Sequence, residues 1–125
     1  MKILMVDDSA MDRKLMSRIL QKGEISQEII EAEDGEKALQ VLAEHYQDIC
    51  VVLLDWQMPN MSGIEVLSAV AKVPLIAAVP IIMVTASGSE ENKKMARDAN
   101  PNLAGYLVKP YKAEDLLGAI KPFLK

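Results

Sequence analysis

Five polar residues that can do chemistry stand at the ends of short apolar runs in this sequence. They are Asp7, Asp8, Asp55, Thr85 and Lys109. Short, continuous apolar runs are typical of parallel strands, and open parallel sheets bind their ligands at the carboxyl ends of the strands. We therefore expect these five side chains to converge on one crevice.

Three carboxylates in one crevice raise the pKa of at least one of them unless positive charge compensates. Lys109 and a divalent cation would supply that charge, and hard oxygen ligands favour Mg²⁺. Such a site suits a phosphoryl group, because Mg²⁺ and the lysine neutralise its oxygens while a carboxylate attacks phosphorus. The residue types therefore predict phosphoryl chemistry on an aspartate.

Asp55 is the predicted nucleophile, because it stands alone at the tip of the most apolar run, residues 50–54, which is typical of a central strand. The adjacent Asp7 and Asp8 are better arranged to hold a metal, one directly and the other through water. The alternative is that these aspartates only cap strand ends and turns. Five polar residues at matching positions favour the site.

The elements that position these residues alternate five times between an apolar run and an amphipathic stretch. This order predicts an α/β fold with a parallel sheet covered by helices on both faces. The predicted strands are residues 3–6, 28–32, 50–54, 81–85 and 103–108.

The helices follow these strands. Met11, Leu15 and Ile19 recur at four-residue spacing in the first helix, which Gly23 ends. In the second helix we expect Leu39, Leu42, Ala43 and Tyr46 to form the inner face. The S-x-x-E spacings of residues 62–65 and 87–90 predict capping boxes for the next two helices, and residues 113–124 form the last.

Composition limits the class of protein. A chain of 125 residues is the size of one domain, so we expect no second output domain. A net charge of −4 weighs against nucleic-acid binding, and the longest apolar stretch is interrupted by Pro80, which weighs against a membrane span. The N-terminus lacks the pattern of a signal peptide, so we expect a cytoplasmic protein in which the single cysteine, Cys50, is a buried thiol.

Four motifs carry a resemblance to a known family. They are Val6-Asp7-Asp8-Ser9; Leu54-Asp55 with Met58, Pro59, Met61 and Gly63; Val84-Thr85-Ala86; and Tyr106-Leu107-Val108-Lys109-Pro110. In type, order and spacing they resemble the receiver domain of bacterial two-component response regulators over essentially the whole chain, residues 1–125. The resemblance is to single-domain, chemotaxis-type regulators, and it implies a flavodoxin-like, doubly wound sheet with strand order 2-1-3-4-5 and five flanking helices.

The resemblance also implies the reaction and its partners. Asp55 would accept a phosphoryl group from the phosphohistidine of a sensor histidine kinase or a histidine phosphotransfer protein. Mg²⁺ would be held by Asp8, Asp55 and the backbone carbonyl of Gln57, with Asp7 acting through water. The only activities expected are the protein's own phosphorylation and autodephosphorylation.

A conformational switch is implied as well. Thr85 and Lys109 would bind phosphoryl oxygens, and Tyr106 would turn inward as Thr85 moves, which changes the surface offered to a downstream protein target. Without the adjacent Lys109-Pro110, whose peptide bond is expected to be cis, Tyr106 would be an ordinary strand aromatic.

We expect the protein to be a monomer.

Four positions depart from the common family pattern or mark the site. Gln57 and Ser87 lie where the family tunes phosphoryl lifetime, and their direction of effect stays open. Asn102 replaces a residue that is often glycine, so a left-handed backbone is expected there. Trp56, the only tryptophan, should report on the site.

Other functions fit the residues less well. A phosphatase of the haloacid-dehalogenase type needs an aspartate two residues after its nucleophile, where this chain has Gln57. A nucleotide-binding domain needs a glycine-rich turn after the first strand, where this chain has acids. A phosphorelay shuttle and a regulator of an output target stay equally open. Basic residues of the first helix, Arg13, Lys14 and Arg18, are expected to influence docking of the phosphodonor.

Overall fold

A parallel sheet of five strands runs through the molecule in the order β2-β1-β3-β4-β5. The computed structural model describes residues 1–124, so Lys125, the last residue of the predicted domain, lies outside them. The strands are β1 (Lys2–Val6), β2 (Glu28–Ala32), β3 (Ile49–Leu54), β4 (Ile81–Thr85) and β5 (Gly105–Val108). The predicted order and the central place of β3 are confirmed; β5 begins two residues later than predicted.

Helices cover both faces of the sheet. They are α1 (Ala10–Lys22), α2 (Gly35–His45), α3 (Gly63–Ala71), α4 (Glu90–Ala99) and α5 (Ala113–Ile120), and short 3₁₀ turns follow α2 (Tyr46–Asp48) and α5 (Lys121–Phe123). Strand side chains alternate between two buried clusters, because successive residues of a strand point to opposite faces. One cluster packs under α2, α3 and α4, and the other under α1 and α5.

Serine caps begin three of the helices. Ser9, Ser62 and Ser89 each accept a hydrogen bond from a backbone N–H of the first turn, which satisfies a group that the helix itself leaves unpaired. The prediction of a cap at Ser87 is wrong, since α4 begins two residues later behind Ser89. Ser87 therefore remains in the loop that leads from β4, where its own groups contact the site.

The buried faces of the first two helices differ from those that the spacing of apolar residues predicts. In α1 the buried residues are Met16 and Leu20, whereas Met11 is 73% exposed and Leu15 is 50% exposed. In α2, Ala38 and Leu42 are buried, and the expectation that Ala43 faces inward is wrong. Apolar residues at four-residue spacing mark a stripe on a helix, but the packing of the helix on the sheet decides which stripe is buried.

Asn102 does not have the left-handed backbone expected of it. Among the described residues other than glycine, positive φ occurs at Glu24 (61°) and Asn60 (68°). Asn102 instead donates its backbone N–H to Oδ1 of the buried Asn100 at 2.9 Å and its side-chain amide to the Ala77 carbonyl at 3.1 Å. Side-chain hydrogen bonding thus shapes the connection to β5 without a positive φ.

The remaining sequence expectations concern single features. Gly23 caps the end of α1, Cys50 is a buried free thiol, and the Lys109–Pro110 peptide is cis, all as expected. In the described part of the chain, none of the helices has the length and apolar character needed to cross a bilayer.

Candidate functional site

Main-chain hydrogen bonds carry the sheet ladder beyond the strand ends and so place the polar residues at one edge. Asp7 N–H donates to the Ala32 carbonyl at 3.1 Å, and Asp55 N–H donates to the Val6 carbonyl at 2.9 Å. At the ends of β4 and β5, Lys109 N–H donates to the Thr85 carbonyl at 2.7 Å. The predicted convergence of these residues at the carboxyl edge is thereby observed.

Three carboxylates lie together at this edge. Oxygens of Asp7, Asp8 and Asp55 all lie within 4.8 Å of one another, with Asp8 exposed and the other two buried. Asp7 Oδ1 accepts a hydrogen bond from Ser9 N–H at 2.9 Å, and Asp55 Oδ1 accepts one from Trp56 N–H at 2.8 Å. One oxygen of each buried carboxylate is therefore held by the backbone, which leaves the other for a ligand or a cation.

Lys109 is the cation beside this cluster. Its Nζ lies 3.0 Å from Asp7 Oδ2, 3.0 Å from Asp12 Oδ2 and 3.8 Å from Asp55 Oδ2. Burial lowers the pKa of the ammonium, but the hydrogen bonds to Asp12 and Asp7 and the charge of Asp55 outweigh it, so the pKa lies above its ordinary value. Lys109 is therefore charged at any physiological pH.

Asp55 titrates abnormally. Burial, followed by the negative charge of Asp7, raises its pKa from 3.8 to about 6, although Lys109 and the Trp56 N–H act in the opposite direction. One lysine thus does not balance the acids of this cluster. A further positive charge at the cluster would favour the ionised form of Asp55.

The donor atoms of the cluster fit a hard divalent cation. All three side chains offer carboxylate oxygen, the ligand that Mg²⁺ and Ca²⁺ prefer, and the neighbouring lysine suits a site that also takes an anion. Gln57 lines the same cleft, and the part of its backbone carbonyl as a ligand stays a prediction. The arrangement is compatible with a metal site.

The cleft above the carboxylates has a volume of about 860 Å³. Asp8, Asp55, Gln57, Thr85 and Lys109 line it, together with Trp56. Asp7 lies underneath at 1% exposure and reaches the cleft only through its charge and its contact with Lys109. The opening is large enough to admit a phosphoryl group and a metal side by side.

A chain of contacts leads from the cleft to the surface through Ser87. Ser87 N–H donates to the buried Thr85 Oγ1 at 3.4 Å, and the Tyr106 hydroxyl donates to the Ser87 carbonyl at 2.6 Å. The Asn92 side-chain amide donates to Ser87 Oγ at 2.5 Å. Burial raises the pKa of the Tyr106 hydroxyl, and Lys93 Nζ lies 5.9 Å from its ring centroid. Thr85 and Tyr106 are thus joined through one loop residue.

Sequence reasoning missed Asp12 and the contacts of Arg13. Asp12 occupies the first turn of α1, four residues after Asp8, and this position alone could have placed it at the same edge of the sheet. The Arg13 guanidinium donates to Glu31 Oε1 at 2.9 Å and, through Nη1, to the Asp7 carbonyl. Arg13 therefore braces the loop that carries the acidic pair, and its influence on docking of the phosphodonor stays a prediction.

Comparisons with known proteins agree with this geometry. Residues 3–121 match the family described as "Response regulator receiver domain". A chemotaxis protein CheY homolog of Campylobacter jejuni is 36% identical over 126 residues, which cover 94% of this chain and 93% of that protein. The phosphate regulon transcriptional regulatory protein PhoB of Pseudomonas aeruginosa is 33% identical over 98% of this chain, which spans only 51% of that relative.

The fold is likewise shared with solved structures. The chemotaxis protein CheY4 of Vibrio cholerae superposes with a TM-score of 0.85 at 33% identity, over 98% of both chains. A CheY-like receiver domain protein of Methanospirillum hungatei superposes with a TM-score of 0.82 at 29% identity. The doubly wound sheet and its strand order are therefore those of these proteins.

Proposed function

The chain belongs to the response regulator receiver family, and from this premise we propose that it is a single-domain regulator in which Asp55 accepts a phosphoryl group. The observation that carries the proposal is the position of Asp55 at the tip of the central strand, with the partly buried Lys109 3.8 Å from one of its oxygens. Receiver domains are signalling domains, and we expect residues 1–125 to act as one.

The phosphodonor in this proposal is the phosphohistidine of a sensor histidine kinase or a histidine phosphotransfer protein. An Asp55 oxygen attacks phosphorus, the bond from phosphorus to the donor imidazole nitrogen breaks, and that nitrogen keeps the electron pair. The product is an acyl phosphate on Asp55. In the protein's own dephosphorylation, water would attack phosphorus, the bond from phosphorus to the Asp55 oxygen would break, and the carboxylate and inorganic phosphate would be released.

Asp8, Asp55 and the Gln57 carbonyl would hold Mg²⁺, with Asp7 acting through water. When bound, the cation neutralises phosphoryl oxygens and offsets the charge of the carboxylates. Lys109, already charged in the cleft, would bind another phosphoryl oxygen. Burial and the like charge of Asp7 raise the pKa of Asp55, and this supports a requirement for the cation.

The signal would leave the cleft along the contacts of Ser87. Thr85 would turn its hydroxyl to the phosphoryl group, and the loop residue Ser87, hydrogen-bonded to both Thr85 and Tyr106, would follow. The surface formed by α4, β5 and α5 would then bind a downstream protein. Lys93, which lies over the Tyr106 ring, belongs to that surface.

What supports the chemotaxis-type proposal is the 36% identity to the Campylobacter CheY homolog. A phosphorelay shuttle, which would pass the phosphoryl group to a second histidine, uses the same cleft and is the other candidate. Phosphatase chemistry of the haloacid-dehalogenase type would lack its acid, because Gln57 offers an amide at that position.

Trp56 fluorescence tests the proposal. We expect Mg²⁺ to quench it, and beryllofluoride, a phosphoryl mimic, to change it further only when Mg²⁺ is present. Asp55→Asn should abolish both the beryllofluoride response and covalent labelling by a small phosphodonor. Glu36→Gln, an exposed change on α2, is the matched control. Stable labelling of the Asp55→Asn protein would refute the assignment of the nucleophile.

A further inference from the structure

Asp12 contacts the cleft lysine without belonging to the carboxylate cluster. Among the described residues, the carboxylates within 4.0 Å of Lys109 Nζ are those of Asp7, Asp12 and Asp55. The first two lie at 3.0 Å and Asp55 at 3.8 Å, so the ammonium is closer to Asp12 than to the proposed nucleophile. The reaction proposed above gives Asp12 no task.

The backbone holds Asp12 at this position. Its N–H is bound by the Ser9 cap at 3.2 Å, and α1 is anchored on the sheet by Met16 and Leu20. Its side chain is 40% exposed, whereas that of Asp7 is 1% exposed. Of the two carboxylates at 3.0 Å, Asp12 is thus the one whose contact with Lys109 water can readily replace.

Asp12 also stands on the border of the cleft. It lines the site itself and, with Leu15, Ile19 and Tyr111, an adjoining apolar cavity of about 530 Å³. A phosphoryl group on Asp55 carries negative charge, which Asp12 repels while both anions attract the same ammonium. Asp12 and the phosphoryl group are therefore competitors for Lys109.

We propose that Asp12 is a positioning residue that retains the Lys109 ammonium in the unphosphorylated protein and opposes its transfer to the phosphoryl group. The inference rests on the proposed function. Asp12, a residue of α1 that is not one of the proposed metal ligands, would thereby influence the balance between the unphosphorylated and phosphorylated states. Removal of the Asp12 charge should free Lys109 for the phosphoryl group.

The test is the affinity of the full chain for beryllofluoride, measured by Trp56 fluorescence at saturating Mg²⁺. Asp12→Asn, which removes the charge at constant shape, should tighten binding about three- to fivefold, the size expected from loss of one partly exposed ion pair. Asp12→Glu restores the charge and should bind as the unsubstituted protein does. The midpoint for Mg²⁺ alone should change less than about twofold, because Asp12 is outside the carboxylate cluster.

Glu114→Gln is the matched control, because Glu114 is an exposed acid at the start of α5, outside the carboxylates that contact Lys109. Equal affinity in the Asp12→Asn and unsubstituted proteins would overturn the inference. So would equal tightening by Glu114→Gln, since this would assign the effect to net charge.

Nuclear magnetic resonance of the Lys109 side chain gives a second readout, without Mg²⁺ or beryllofluoride. Asp12→Asn should shift the Lys109 Cε and Nζ signals, and Glu114→Gln should leave them in place. An unmoved Lys109 signal would overturn the inference on its own. If the unsubstituted protein fails to bind beryllofluoride in Mg²⁺, the proposed function fails, while this spectrum still tests the contact between Asp12 and Lys109.

Discussion

The Tyr106 hydroxyl donates a hydrogen bond of 2.6 Å to the main-chain carbonyl of Ser87. The same Ser87 donates its N–H to Thr85 Oγ1 at 3.4 Å, so one residue contacts both the cleft and the aromatic side chain of β5. We therefore expect a movement of the Thr85 hydroxyl towards a ligand to change the environment of Tyr106. Ser87 joins the two residues, and the switch between them stays a prediction.

Tyr106→Phe should release this loop. The ring keeps its packing but loses the bond to Ser87, and a hydrogen bond of this kind contributes about 1 kcal/mol to the free energy of unfolding. We expect lower stability by about that amount and a shifted Ser87 amide resonance. Tyr46→Phe is the control, since among the described residues the hydrogen-bond partner of the Tyr46 hydroxyl is the exposed Gln47 amide at 3.3 Å. An unmoved Ser87 resonance would argue against the link.

Asp55→Asn should stabilise the metal-free protein near neutral pH. Folding raises the Asp55 pKa from 3.8 to about 6, so the folded state binds the proton more tightly than the unfolded state. Ionisation of Asp55 therefore lowers the free energy of unfolding. This loss is absent well below pH 3.8, grows between pH 3.8 and about 6, and amounts to about 3 kcal/mol at pH 7.

Urea denaturation in a chelator at pH 4 and pH 7 measures this difference. The Asn protein should be the more stable by about 1–3 kcal/mol at pH 7 and nearly equal at pH 4. Glu36→Gln reports the general effect of losing a negative charge at an exposed position of α2. A stability gap that is equal at the two pH values would contradict the raised pKa.

Lys109→Ala should separate metal binding from switching. Its loss leaves the buried Asp7 carboxylate without its ammonium, which should lower metal-free stability by about 3 kcal/mol. Mg²⁺ should still quench Trp56, since removal of a positive charge beside the cluster does not weaken cation binding. The further change with beryllofluoride should be lost. Lys94→Ala, whose partner Asp98 is an exposed residue of the same helix, should behave as the unsubstituted protein.

Gly63→Ala should disturb the site through the backbone. A Cβ atom there would overlap the Asp55 carbonyl oxygen and lie 2.9 Å from Trp56 Cα, and neither backbone atom can rotate away. We expect a loss of about 1–3 kcal/mol in unfolding free energy and weaker Mg²⁺ quenching. Gly118→Ala is the matched control, since its Cβ would meet open space in α5 and should stabilise the helix by about 0.5–1 kcal/mol. Equal thermal unfolding midpoints for the two variants would contradict this account.

Most of the fold was readable from apolar periodicity. The strand that ends at Asp55 is continuous in apolar residues because helices cover both of its faces, and this pattern correctly placed it at the centre. Asn102 shows where local reasoning failed. The backbone there follows from its hydrogen bonds to Asn100 and to the distant Ala77, and a residue type alone does not predict such partners.

The prediction of the buried face of α1 was wrong for a related reason. Met11 and Leu15 repeat with helical spacing as Met16 and Leu20 do, so the pattern cannot choose between the two stripes. The choice depends on how the helix axis is rotated against β1, β3 and α5. That rotation is a property of the packed core, and it also turns Asp12 towards the cleft.

The alternation of strands and helices and the residues at the strand ends could be predicted from the sequence, because both depend on short-range periodicity and on the shared direction of parallel strands. The partners of Lys109 could not, because they depend on tertiary packing. Asp12 and Asp7 precede it by 97 and 102 residues, and their charges meet because two separate helix–strand units pack against one sheet. That packing determines which carboxylate approaches the ammonium, and no local sequence pattern predicts it.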